Sequence, residues 1–292
     1  MKRLISFAAV ALVAAACNKE AQEIPSAETY SNEIRVEASL PGATRATLSA
    51  FEEGDVMGLY AVEYNGESVA ELQLGGNYLN NEAMTYNGTE WTSSRKLYWS
   101  ESACDFYAMY PRQELTGVKD VRFDLPLDQS VEGGYEAADL MWAKAERKTK
   151  EDGEVYLAFQ HMMSRVVVKV EKGPKFEGEL PENISVKLYN TATTAQVDWT
   201  IGSLERHIYS ENKTIKMRQV DAVTFDAIVV PQFIERVTPL VEITIEGIAY
   251  LLEDSISLRP GHQHTFVVTL NTSPDQEKIE IGFEGNVDGG EW

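Results

Sequence analysis

Apolar residues recur at every second position through most of the chain, and runs with helical periodicity are scarce. Alternation of this kind places residues i, i+2 and i+4 on one face of a strand. The inward-facing candidates are Ile34, Val36, Ala38 and Leu40; Val56, Gly58 and Tyr60; Phe106, Ala108 and Tyr110; and Val155, Leu157 and Phe159. Later sets are Val166, Val168 and Val170; Ile184, Val186 and Leu188; Val241, Ile243 and Ile245; Phe266, Val268 and Leu270; and Ile279, Ile281 and Phe283. Turn chemistry separates them at Asn65-Gly66, Gly75-Gly76, Asn87-Gly88, Asp152-Gly153, Lys172-Gly173-Pro174 and Pro260-Gly261. Many short strands at this spacing predict an all-β chain built of β-sandwiches. A length of 292 residues favours two of them. The joint falls near Met163-Ser164, giving an N-terminal sandwich over 33–163 and a C-terminal sandwich over 164–292. The best helix candidate, Tyr135 to Ala143, reads equally well as a loop.

Residues 1–16 are expected to leave the mature protein. Met1-Lys2-Arg3 precedes an apolar run from Leu4 to Ala16, too short for a membrane span and shaped as a secretory signal. Cys17 follows Ala14-Ala15-Ala16 and resembles the modified cysteine of a bacterial lipobox, although Ala14 stands where that motif usually has Leu. The alternative is a soluble secreted protein in which Cys17 has no role. If Cys17 is acylated, Cys104 has no partner for an intramolecular disulfide and is expected to be a small buried hydrophobe. Residues 17–32 read as a lipidated tether. Within it, Asn18-Lys19-Glu20-Ala21-Gln22-Glu23 is similar to short surface-export signals of lipoproteins, or is an ordinary solvated linker.

A formal charge of −20 repels phosphate backbones, so no nucleic-acid partner is expected. No nucleophile elbow, phosphate loop, dinucleotide fingerprint or zincin helix is present. The chain is therefore read as a non-enzyme with no catalytic residue, cofactor or metal site. His262 and His264 share a strand face, but nothing supplies further ligands, and an exposed turn beside Pro260-Gly261 is the plainer reading. His161 reads as a satisfied structural imidazole. Trp91, Tyr98 and Trp99 offer a sugar-stacking platform, against a core-facing role for both tryptophans. Asp254-Ser255-Ile256 has the form of a bacterial O-glycosylation site, a three-residue match of little specificity.

Seven segments in order carry a family resemblance. They are Ala43-Thr44-Arg45-Ala46-Thr47, Phe51 to Tyr60 with its Gly54-Asp55-Val56-Met57-Gly58, Tyr98-Trp99, Phe106 to Pro111, Asp139 to Ala143, Phe159 to Val168, and Leu258 to His262, with Trp292 at the end of the series. Together they resemble the fimbrillin family, the subunits and related proteins of type V pili in Bacteroidia-type bacteria. The resemblance implies two tandem transthyretin-like, Greek-key sandwiches behind a lipoprotein signal peptide. It further implies a precursor carried to the cell outer membrane on its Cys17 lipid and cut by an arginine-specific maturation protease. The matching bond is Arg45–Ala46; the alternative is an exposed turn after Pro41-Gly42.

On that reading Ile34, Val36, Ala38 and Leu40 form a strand that fills an apolar groove and is displaced after cleavage. Other pilus subunits are then the partners, by strand exchange at the vacated groove. Lys278 to Phe283 is either the last sandwich strand or a donor, and residues 284–292, with Gly285, Gly289 and Gly290, are poor strand material. The expected role is a tip or accessory subunit contributing to adhesion. The competing reading is a surface lipoprotein that binds a glycan through a β-sandwich and never polymerises.

Overall fold

The sheet at the centre of the N-terminal half is apolar on both of its faces, and this determines how the rest is arranged. The computed structural model describes residues 32–40, 51–176, 178–235, 238–272 and 279–292. Among these residues the regular structure is β apart from two one-turn 3-10 helices, Glu136–Ala138 and Lys150–Asp152.

The central sheet is antiparallel and runs Gln160–His161, Met141–Lys148, Cys104–Tyr110, Val56–Asn65, Leu79–Tyr86, Trp91–Ser93. Every residue of Cys104–Tyr110 is buried. Phe106, Ala108 and Tyr110 enter a core drawn wholly from residues 34–159, while Tyr107 and Met109 enter a second core that continues through the C-terminal half. The adjacent strand divides the same way. Met57, Leu59 and Ala61 face the first core, and Tyr60 and Val62 the second. Val56, Gly58 and Tyr60 are thus not the face that packs with Phe106. With both sides of a strand apolar, alternation carries no polar phase from which to read parity. Each large aliphatic or aromatic side chain fully buried here contributes about 1.5–3 kcal/mol.

The C-terminal half contains a five-stranded sheet in the order Arg218–Gln219, Thr224–Val229, Ser164–Lys172, His262–Thr272, Ile279–Glu291. Ser164–Lys172 pairs parallel with His262–Thr272 and antiparallel with Thr224–Val229. A four-stranded sheet runs Asn212–Lys216, Ile184–Ala192, Pro239–Ile245, Ile248–Glu253. The alternating sets at Val166, Ile184, Val241 and Phe266 all bury into the second core as their pattern requires. Val121–Asp124 leaves the first half to pair with Thr194–Asp198, which also pairs with Ser203–Arg206.

Of the two readings of Tyr135–Ala143, the loop holds as far as Leu140: after the single turn at Glu136–Ala138 the chain extends into Met141–Lys148, with Met141, Ala143 and Ala145 on the first core. One expectation is corrected. Residues 284–291 are strand despite their glycines, as the long final element Ile279–Glu291 pairs along His262–Thr272. Two register shifts absorb the mismatch. At one of them Gly289 is the extra residue, and Gly290 takes φ of 80°. The partner strand supplies the ladder that local propensity does not.

Candidate functional site

Residues 33–40 lie along the first core, with Val36–Ser39 as a strand and Glu33 in an isolated bridge. Val36–Ser39 pairs in parallel with Val155–Ala158, Val36 opposite Val155 and Ala38 opposite Leu157. The amide of Val155 donates to Arg35 O at 2.8 Å and that of Phe159 to Ser39 O at 2.9 Å. At the other end Glu33 bridges Tyr98, Ile34 N donates to Leu97 O at 2.8 Å, and Trp99 N to Asn32 O at 2.9 Å. The segment is thus held by two separate parts of the body. Ile34 and Val36 are buried, and Ala38 and Leu40 pack half-buried on the same core. Burial of Ile34 and Val36 alone contributes about 3–6 kcal/mol. All four residues expected to point inward do so.

Phe51 packs on the same core, edge-on to Trp91 at 5.0 Å and to Tyr110 and Phe159 at 5.5 Å. Cys17, Arg45 and Ala46 lie outside the described residues. Arg45–Ala46 falls in the stretch of chain between Leu40 and Phe51, both of which touch the first core.

Next to Leu40 the two halves of the molecule meet around a set of buried polar groups. His161 Nδ1 and Asp139 Oδ1 are 2.8 Å apart, and the Trp292 indole stacks on the imidazole with centroids at 3.8 Å and planes at 17°. Arg165 lies 5.3 Å from the centre of the Trp292 ring and binds the fully buried Asp226 at 2.7 Å. Arg218 takes the other Asp226 oxygen at 3.0 Å, reaches Glu136 at 3.1 Å, and lies over Tyr135 at 3.4 Å. Burial raises the Tyr135 hydroxyl well above the ordinary tyrosine range. The Tyr110 hydroxyl is raised as well, by burial first and then by its 2.7 Å bond to Asp55. These two hydroxyls are therefore neutral donors.

His161 is a structural imidazole only on one side: its Nε2 is buried without a partner. His264 is buried inside His262–Thr272, so the exposed-turn reading of His262 and His264 is corrected. The signal was in the periodicity: the alternation of Phe266, Val268 and Leu270 carried one step back reaches His264. Among the described residues no group of three His, Cys, Asp or Glu is placed to hold a metal ion. Trp91 and Trp99 face the core, Trp99 edge-on to Phe106 at 5.8 Å, and of the three aromatic residues there only Tyr98 is exposed. Cys104 is buried and its thiol is pushed up to about 11, by burial first and by Glu63 and Asp105 after it. Among the described residues no helix is long and apolar enough to cross a membrane.

The groove partner of residues 33–40 was not legible in advance. Val155, Leu157 and Phe159 read as a strand, but a parallel pairing across more than a hundred residues leaves no local mark in sequence.

The fold has close counterparts among solved structures. The chain is similar to a candidate cell adhesion protein from Bacteroides uniformis, at 22% identity and a TM-score of 0.64 over 88% of this chain and 97% of that one. A second such protein, from Bacteroides ovatus, aligns at 16% identity and a TM-score of 0.68 over 88% and 97%. A fimbrial protein from Bacteroides ovatus aligns at 18% identity and a TM-score of 0.54, over 81% of this chain and 48% of that longer one. No curated protein sequence matches. The model of the fimbrillin-like family matches residues 44–287, the greater part of the sequence, and the chain belongs to that family.

Proposed function

We propose that this protein is a structural subunit of a cell-surface type V pilus, assembled by proteolysis-dependent strand exchange. The observation that carries the reading is the seating of residues 33–40. They occupy a groove through backbone bonds and buried aliphatics, and join the sandwich covalently only through the stretch that holds Arg45–Ala46. A precursor acylated at Cys17 is held at the outer membrane, since acyl chains contribute about 0.8 kcal/mol per buried methylene. An arginine-specific protease cuts after Arg45. The Ile34–Leu40 strand is then a separate peptide, and a strand from a neighbouring subunit replaces it against Val155–Ala158 and Leu97–Trp99. The groove offers the newcomer the same backbone partners and the same side-chain sockets.

The division into sandwiches 33–163 and 164–292 belongs to this reading. It is supported by a first core drawn only from residues 34–159. A tip or accessory role, contributing to adhesion, is supported by the final strand: Ile279–Glu291 is engaged along its own neighbour and so is not held ready for donation.

The test is Arg45→Ala in cells that assemble the pilus. The variant is expected to remain a lipidated precursor absent from sheared pili, while wild-type protein starts at Ala46. Incorporation of the uncut variant at wild-type levels would refute the cleavage step.

A further inference from the structure

Ile248–Glu253 ends the four-stranded sheet, and among the described residues no further strand pairs with its outer side. Glu246 and Gly247, at φ of 50° and 82°, make the two-residue turn that joins it to Pro239–Ile245. A turn of that length makes Ile245 and Ile248 a hydrogen-bonded pair. Tyr250 and Leu252 then also bond along the ladder, while the N–H and C=O groups of Ala249 and Leu251 point away from it.

The side chains are unfinished at the same edge. Ile248, Tyr250 and Leu252 stand opposite Ile245, Ile243 and Val241, which are buried in the second core. Ile248 is nevertheless 57% exposed, and Tyr250 and Leu252 are only half-buried against that core. Leu251, on the opposite face, is 56% exposed.

Edges of sheets are ordinarily kept from pairing by shortness, by charge, by proline or by a bulge. Among the described residues the other edge strands have at least one such device. Each is four residues or fewer, except Asn212–Lys216, with two lysines, and Ile279–Glu291, with its acids and two register shifts. Ile248 to Leu252 has no charge, no proline and no register shift.

Charge says what fits there. Glu246 stands at one end of this apolar stretch and Glu253 and Asp254 at the other, and no basic residue occurs from Pro239 to Leu258. A second copy is a poor match. The antiparallel register that sets Ala249 opposite Leu251 of the other copy also sets Glu246 opposite Asp254 at both ends, and like charges directly opposite are destabilising.

We propose that the free edge of Ile248–Glu253 is a docking site for an extended segment of a partner protein. That segment has aliphatic residues at alternate positions, lysine or arginine at its ends, and adds a fifth strand to the sheet. The proposal does not rest on strand exchange, because it displaces no segment of this chain and stands if that reading fails.

The test is fluorescence anisotropy of a labelled, capped heptapeptide, alternating valine and threonine between two terminal lysines, titrated with the whole protein. A counterpart ending in glutamates is the control. The lysine peptide is expected to bind saturably, and the glutamate peptide about tenfold more weakly, the effect of losing one charge match at each end. Glu253→Lys, at an exposed position, should weaken the lysine peptide and strengthen the other. Leu251→Pro removes an N–H that the ladder to Pro239–Ile245 does not use and should abolish binding of both. Hydrogen exchange on the wild type reads the place without any substitution: the amides of Ala249 and Leu251 should gain protection when the lysine peptide is added. No saturation, equal binding of the two peptides, or protection gained elsewhere but not at Ala249 and Leu251 would overturn the site. A wild-type dimer in sedimentation that Leu251→Pro dissolves would give the edge to a second copy and overturn the basic partner.

Discussion

Val36 lies opposite Val155 in parallel register, and both side chains are buried in the core formed by residues 34–159. A charge at Val36 would have to be desolvated in that core or expel the strand, and expulsion is the cheaper course. Val36→Asp is therefore expected to unseat residues 33–40 while the sheet through Cys104–Tyr110 stays folded. Hydrogen exchange reads this directly, because the amides of Val155 and Phe159 donate to Arg35 and Ser39 of the seated strand. Both should lose protection while amides of Cys104–Tyr110 keep theirs. Unchanged protection at Val155 and Phe159 would mean the seat does not depend on these side chains.

Much of this arrangement was legible in the alternation of apolar residues, and the limits are physical. Ile34, Val36, Ala38 and Leu40 could be assigned to a face because Glu33, Arg35, Glu37 and Ser39 mark the other one. Val56–Asn65 gave no such contrast: Met57 and Leu59 on one side and Tyr60 and Val62 on the other are all buried, so alternation names only one of its two inward faces. The glycines at 285, 289 and 290 argued against a strand that the neighbouring His262–Thr272 nevertheless imposes. The junction around His161, Asp139 and Trp292 joins positions up to 153 residues apart, and no local pattern marks such a meeting.

Asp226 is fully buried between Arg165 and Arg218. Its removal leaves Arg165 without a counter-charge and Arg218 with Glu136 alone. Asp226→Ala is expected to destabilise the fold by about 3–5 kcal/mol, read as a lower denaturation midpoint in urea. Asp226→Asn, which keeps the shape but not the charge, should fall between the two. A loss under about 1 kcal/mol for the alanine variant would show that the arginines find other partners.

Glu242 accepts from Lys187 at 2.9 Å and from Tyr189 at 2.7 Å, and these bonds hold its carboxyl below the ordinary value of 4.5. A depressed folded-state pKa stabilises the fold above the unfolded value, and the contribution disappears as pH falls through the folded one. Glu242→Gln should therefore be less stable than wild type at neutral pH, by about 0.2–1 kcal/mol for a pair at the surface. The gap should close as the pH drops below the ordinary glutamate value. A gap that stays constant down to full protonation would assign the effect to packing instead of charge.

Cys104 combines burial with a thiol raised to about 11, so at pH 8 only about one molecule in a thousand carries the reactive thiolate. A chain beginning after Cys17 holds no other cysteine. Native protein is expected to resist iodoacetamide at that pH, and protein in denaturant to take up one label, as read by intact mass. Rapid labelling of the native state would show that the Cys104–Tyr110 strand opens far more readily than its burial implies.

Trp292 stacks on His161, takes Arg165 at 5.3 Å from its ring centre, and donates its backbone N–H to Gly261 O at 3.1 Å. These contacts lie just beyond the glycine-bearing end of Ile279–Glu291, where the register with His262–Thr272 slips. Glycines give a strand little side-chain packing of its own, so the indole is the anchor that holds this end in the sheet. Trp292→Ala removes an aromatic stack and a cation–π contact, together worth about 1–3 kcal/mol. The loss should be local. Amides that pair Val287 to Glu291 with His262 to Thr265 are expected to exchange faster, while those between Ile281 and Leu270 hold their protection. Phenylalanine at 292 keeps the stack and should restore most of the protection. If Trp292→Ala left exchange near residue 290 unchanged, the bulged ladder alone would be sufficient to hold the strand end; if it exposed the whole of Ile279–Glu291, the strand would depend on its last anchor far more than its ten paired positions suggest.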